Sequence, residues 1–124
     1  MNTRVREYLI DKARQRTNQT VTYQQLSDDC SLGLNMKENS QDRITIGGIL
    51  GDISVHEHNN VRPLLSSLVL RSGDSYEGDG FYKLAETLGF GNWQMLKRDG
   101  LFEVQQINEC ISFWSDDIHH STHR

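Results

Sequence analysis

The chain has no apolar run approaching the roughly 18 residues of a membrane span, and Met1-Asn2-Thr3-Arg4 leads into a charged helical pattern rather than a signal-peptide core. A cytoplasmic protein without a membrane partner is expected. Cys30 and Cys110 are the only thiols, too few for a disulfide framework and not spaced as a metal or redox motif. Two buried free cysteines are the expectation. Pro63 is the single proline. There is no internal repeat and no low-complexity block. No Gly-x-Ser-x-Gly elbow and no His-Glu-x-x-His occurs, so neither a hydrolase nucleophile nor a zinc protease is announced. No catalytic residue, metal or cofactor is assigned.

The 124 residues fit one domain over residues 1–115, with 116–124 as a flexible tail. A net charge of −4 opposes indiscriminate nucleic-acid binding, which needs clustered Lys and Arg. The charge is uneven, however. Arg4, Arg6, Lys12, Arg14 and Arg16 face only Glu7 and Asp11 in the first sixteen residues, a local balance of +3. Helical spacing of Val5, Tyr8, Leu9 and Ala13 predicts an amphipathic helix there, with Arg4, Arg6, Asp11 and Arg14 mostly outside the apolar stripe.

Thr22 stands three residues before Gln25 as a capping box for a second helix holding Tyr23, Leu26 and Cys30 and ending near Gly33. Ser40 caps a third helix with Ile46, Ile49, Leu50 and Ile53 on one face. Gly47, Gly48 and Gly51 each cost that helix up to about 1 kcal/mol against alanine, so close approach of another element or a ligand is expected, or a broken helix. Pro63 restricts the start of an edge strand running through Leu70. Ser72-Gly73-Asp74 and Glu77-Gly78-Asp79-Gly80 form a turn-rich acidic loop. A fourth helix carries Phe81, Leu84, Ala85 and Leu88, and a fifth carries Val104, Ile107, Ile111 and Trp114. The fold class is therefore α+β, mainly helical: a winged-helix-like domain with four to five helices and a small β-hairpin or sheet.

Val21-Thr22-Tyr23-Gln24-Gln25-Leu26, Ile46-Gly47-Gly48-Ile49-Leu50 and the apolar segment after Pro63 resemble the winged-helix domain of alkylguanine DNA alkyltransferases and alkyltransferase-like proteins. There the three segments are a helix entry, a recognition helix and a Pro-Cys-His-Arg strand. Here Leu64-Leu65 follow Pro63, so the nucleophilic cysteine and its histidine have no counterpart and alkyl transfer is not implied. The family inserts an arginine into DNA. Arg43 lies one residue out of register, with Ile44 at the matching place, so a DNA contact by Arg43 stands as analogy. From Val21 to Trp114 the chain also resembles a group of uncharacterised bacterial proteins with Arg-Pro-Leu-Leu-Ser and Gly-x-Gly-Phe-Tyr motifs, which implies one module and brings no activity.

His56-Glu57-His58 with Ser66 and Ser67 supplies the residue types of a nucleophilic triad, since serine needs an imidazole base and the imidazole an orienting carboxylate, but without diagnostic spacing. His56 and His58 with Glu57 or Asp52, His119 with His123, and Asp74, Glu77 and Asp79 are incomplete as metal-ligand sets. Arg62, before Pro63, either caps helix carbonyls or clamps an anionic group bidentately. If the glycine-rich helix and the Gly78–Gly80 loop lie nearby, they offer backbone donors and room for a phosphate or carboxylate.

The expected function is a non-enzymatic binding module, with bacterial regulation or phage defence as its setting, recognising nucleic acid or a protein partner through Tyr23, Arg43, Gly47, Gly48 and Arg62. A small-ligand protein for a nucleotide or anion, or a small enzyme, built on His58, Arg62, Ser66 and Asp79 is the alternative, followed by an acidic immunity or anti-defence protein.

Overall fold

Asn2 opens the first helix by accepting the Val5 amide at 3.0 Å, and α1 (Thr3–Ala13) turns Val5, Leu9, Ile10 and Ala13 into the core. A computed structural model describes residues 1–71 and 78–124. Of the acidic turn expected from Ser72 to Gly80, residues 72–77 lie outside the described residues, and Asp79 and Gly80 are already helical, with Gly78 as the cap.

β1 (Val21–Thr22) runs directly into α2 (Tyr23–Asp29), and the Thr22 hydroxyl accepts the Gln25 backbone amide at 3.2 Å, the first half of the expected capping box, while the Gln25 side chain donates to Asp29. The helix stops at Cys30, with Ser31 left-handed at φ 56°, rather than at Gly33. α3 (Ser40–Asn59) is capped by Asn39, one residue before the expected Ser40, through amides of Gln41 and Asp42. It runs unbroken through Gly47, Gly48 and Gly51. Among the described residues, an added Cβ at any of the three would meet no atom beyond its own stretch of helix within 4 Å, so no described element packs closely on them.

The edge strand expected from Pro63 to Leu70 is largely absent. Leu65–Leu68 form a 3-10 turn and only β2 (Val69–Leu70) is extended, pairing in parallel with β1 at Val21↔Val69 and Thr22↔Leu70. The segment is buried from Leu64 through Val69, and its polar groups find side-chain partners instead of a ladder: Ser66 N donates to Ser54 Oγ at 3.1 Å and Leu64 N to Gln106 Oε1 at 2.9 Å. An apolar run buried all round has no periodicity to separate strand from helix.

Beyond it come α4 (Asp79–Thr87), α5 (Trp93–Asp99), α6 (Leu101–Ser115) and α7 (Asp117–His123). The described residues are thus mainly helical with one small parallel sheet, and their seven α-helices exceed the four to five expected by α5 and α7. None is long and apolar enough to cross a membrane. The core centres on Trp114, packed with α1, α3 and the 3-10 turn; a second cluster joins Phe81, Tyr82, Ala85 and Phe102 to Leu64.

Arg6 departs from its expected place outside the apolar stripe. It is buried, with Nη2 3.2 Å from Glu57 Oε1 and its guanidinium 5.5 Å from the Trp114 ring centroid, because a partner 51 residues away neutralises it. Arg6 also donates to the His123 carbonyl at 2.8 Å, fastening α7 to α1 across the segment expected as a tail.

Candidate functional site

Tyr23 at the start of α2, Arg43, Ile46 and Gly47 on α3, Arg71 after β2, and Gly78 and Gly80 at the start of α4 surround one cleft of about 740 Å³. Met36 and Lys37, on the α2–α3 connection, close its rim. The connection is held by side chains. Gln24 donates to Asp28 and to the Leu34 carbonyl and accepts the Met36 amide at 2.9 Å, while Ser27 accepts the Leu34 amide and Asp42 the Asn35 amide. Arg43 Nη1 donates to the Met36 carbonyl at 2.6 Å, which fixes one cation in place before any ligand arrives.

Across the cleft, a Cβ at Gly78 would lie 3.7 Å from Arg71 Cδ and 4.0 Å from Tyr23 Oη, so β2 and α2 bring these two side chains against the α4 entry. Arg71 follows β2 directly, and the parallel pairing of β2 with β1 sets it beside Tyr23, the first residue after β1. The walls are mostly apolar, with Ile46 fully buried beneath. Lys37, Arg43 and Arg71 give the lining three cations, and none of its described residues is acidic. Asp79, between the two lining glycines, turns its carboxylate to Lys97, which holds it below the ordinary carboxylate range.

Of the residues named from the sequence, Tyr23, Arg43 and Gly47 therefore share the cleft, with Gly48 exposed beside Gly47 on α3. His58, Arg62 and Ser66 do not join them. His58 is eleven residues beyond Gly47, about 16 Å along the helix, and packs edge-on against Phe90 with centroids 5.2 Å apart. Arg62 is a structural cation: its Nη2 lies 2.8 Å from Glu57 Oε2, its Nε reaches both carboxylate oxygens, and Glu57 is fully buried between it and Arg6. Ser66 Oγ is taken by Ser54 Oγ at 2.6 Å.

The residue types of a triad are thus present but spent elsewhere. Among the described residues neither Ser66 nor Ser67 is hydrogen-bonded to an imidazole, and Glu57 orients arginines. No group of three or more His, Cys, Asp or Glu among the described residues is placed to hold a metal ion. Burial pushes the Cys30 thiol above its ordinary value and away from the reactive thiolate, outweighing the opposite pull of Arg4.

Lys37, Met36 and Arg71 were missed from the sequence. Nothing in local spacing joins positions 37, 43 and 71; the sequence set a glycine-rich backbone against Arg62, whereas Gly47, Gly78 and Gly80 line the cleft without it. Comparison of the chain with protein-family models, curated proteins and solved structures returns no match.

Proposed function

We propose that the protein is a non-enzymatic binding module that captures a partner bearing an anionic group on an apolar body in the cleft between α2, α3 and the entry of α4. One observation carries this reading: in a chain of net charge −4, Lys37, Arg43 and Arg71 all line a 740 Å³ concavity whose described lining residues include no carboxylate. A few directed polar groups in a mostly apolar pocket of roughly 300–1,000 Å³ are the usual chemistry of small-ligand recognition. Guanidinium forks supply orientation as well as charge.

Nucleic acid is the second reading, favoured by Arg43 and Lys37 being exposed on the rim, where a backbone phosphate has access. It is the partner that the winged-helix resemblance of the sequence implies. The two readings separate by salt and by size. Thermal melts are run with small phosphates and carboxylates, and retardation with single and double strands at low salt. A ligand binding only the folded state at 100 times its dissociation constant adds about 2.7 kcal/mol to stability. Small anions that raise the melting temperature of wild type but not of Arg43→Ala support the first reading, and strand binding that falls steeply with salt supports the second. If neither class binds, the cleft is not the working surface.

A further inference from the structure

Apart from the cleft, we infer that α7 carries an open two-imidazole site for a divalent transition metal, with His119 and His123 as its protein ligands. The sequence supplies their spacing and no third donor, and no group of three among the described residues completes it, so the site is not a closed structural one. What the fold adds is orientation. Residues four apart share one face of a helix, and both rings lie on Phe113 of α6: His119 stacks with centroids 4.1 Å apart and planes at 13°, His123 at 5.9 Å and 29°. Stacking confines both rings, and their own centroids stand 6.3 Å apart.

His119 also has the tautomer a metal needs. Its Nδ1 lies 3.2 Å from the Phe113 carbonyl, which can only accept, so in the neutral ring Nδ1 carries the hydrogen and Nε2 the lone pair. An imidazole whose other nitrogen donates to a backbone carbonyl is the usual form of a metal-bound histidine, because the outer bond fixes the tautomer and raises the basicity of the ligating nitrogen. Among the described residues no hydrogen bond or ion pair holds the His123 ring nitrogens; the residue is fixed through its backbone, whose carbonyl accepts from Arg6 at 2.8 Å. Local charge does not oppose a cation. Arg6, Arg14 and Arg124 are each paired with a carboxylate, and Asp116 adds another at the amides of Ile118 and His119.

Metal–nitrogen bonds of about 2.0–2.1 Å put an ion roughly 3.2 Å from each ring centroid, so one ion spans centroids roughly 6.4 Å apart in a line and roughly 5 Å apart at a tetrahedral angle. The observed pair stands at the upper edge of that range, and a small rotation of the exposed His123 side chain closes it while the backbone stays on Arg6. Two imidazoles completed by water suit Cu2+, Ni2+ or Zn2+ rather than Mg2+, and the order of divalent affinities puts Cu2+ first. His120 lies one residue on, about 100° round the helix, and serves as the control.

The test is calorimetric titration of Cu2+, Ni2+, Zn2+ and Mg2+ against wild type, His119→Ala, His123→Ala, His120→Ala and the double variant His56→Ala/His58→Ala, with a melting curve of each before metal is added. One Cu2+ per chain should bind about tenfold or more tightly than Zn2+, and Mg2+ should give no signal. His119→Ala and His123→Ala should each weaken Cu2+ about tenfold or more, while the other two variants bind as wild type. His123 is exposed, so its variant should melt with wild type and its loss of metal is not a loss of fold.

Absence of saturable binding by Cu2+, Ni2+ and Zn2+ at about 1 mM overturns the site. Binding that His120→Ala weakens as much as His123→Ala overturns it in favour of adjacent histidines on a frayed end. Binding lost only with His56 and His58 overturns it in favour of α3. A loss of less than about twofold in both His119→Ala and His123→Ala overturns it as well, since two ligands that share one ion cannot each be dispensable.

Discussion

Replacing the α3 glycines by alanine should make the protein more stable. Gly47, Gly48 and Gly51 sit inside a 20-residue helix, and at each the added methyl has no atom of another described element within 4 Å. No steric term therefore opposes the backbone term. Alanine is better than glycine in a helix interior by about 0.8–1 kcal/mol, because glycine loses more conformational freedom on folding. Each single variant should gain about that much, and the triple variant about 2–3 kcal/mol, since the methyls add no contact that couples them strongly. For a chain of this length one kcal/mol raises the melting temperature by about 3–5 °C. Urea unfolding followed by far-ultraviolet circular dichroism reads the effect as a higher midpoint with an unchanged slope. A loss of stability in Gly48→Ala or Gly51→Ala would refute the reasoning, because it means that the methyl meets an obstacle and that α3 is packed where it is described as open. An unchanged midpoint in all three would refute the helix itself at these positions.

Val61 occupies the left-handed position after α3 at φ 57°, where its neighbours make the paired Arg62 N to Glu57 O and Val61 N to His58 O bonds of a helix stop, and it is 93% exposed. Val61→Gly should therefore stabilise by about 0.5–1 kcal/mol in thermal or urea melts, strain relief outweighing the entropy glycine loses. Glu57→Gln should destabilise by about 3–5 kcal/mol and loosen α7, read as faster amide exchange after Ser115, because Arg6 and Arg62 are left buried without their shared anion. The carboxylates of Asp29, Asp79 and Asp116 are held below the ordinary range, chiefly by the Tyr8 hydroxyl, Lys97 and the His119 amide respectively. Their stabilising contribution is complete above the unfolded carboxylate pKa and lost as pH falls through the lowered folded values. The melting temperature should thus hold down to about pH 5 and drop below about pH 4, less so in Asp29→Asn.

Elements whose cause lies within a turn or two of helix were legible. Thr22 with Gln25 predicts the α2 entry because a cap is a contact three residues long, and the stripes of α1, α4 and α6 repeat often enough to be counted. α5 is seven residues between Gly91 and Gly100 and buries no residue fully, and α7 is anchored through a backbone carbonyl, so neither leaves an apolar stripe. Arg6 fails for a related reason. Its burial is caused by Glu57, and a compensating charge on another element has no trace in local periodicity. The cleft was barely legible: the sequence set the glycine segments about Arg62, which Glu57 takes elsewhere, and the cations of the cleft depend on the parallel β1–β2 register that brings Arg71 beside Tyr23.

Two local violations remain, and the structure treats them differently. The strain at Val61 is offset inside the molecule. The stop it occupies turns the chain so that Arg62 follows at once and reaches the Glu57 carboxylate, completing the buried cluster that ties α1, α3 and α7 together. Among the described residues the glycines of α3 have no such return, since none packs where their side chains are missing. Of the three, Gly47 alone also lines the cleft, and under the proposed function a ligand seated there is what would offset its cost. If the proposed function holds, Gly47→Ala should stabilise the fold and weaken binding at once, and a variant that gains stability while binding unchanged would remove Gly47 from the working surface.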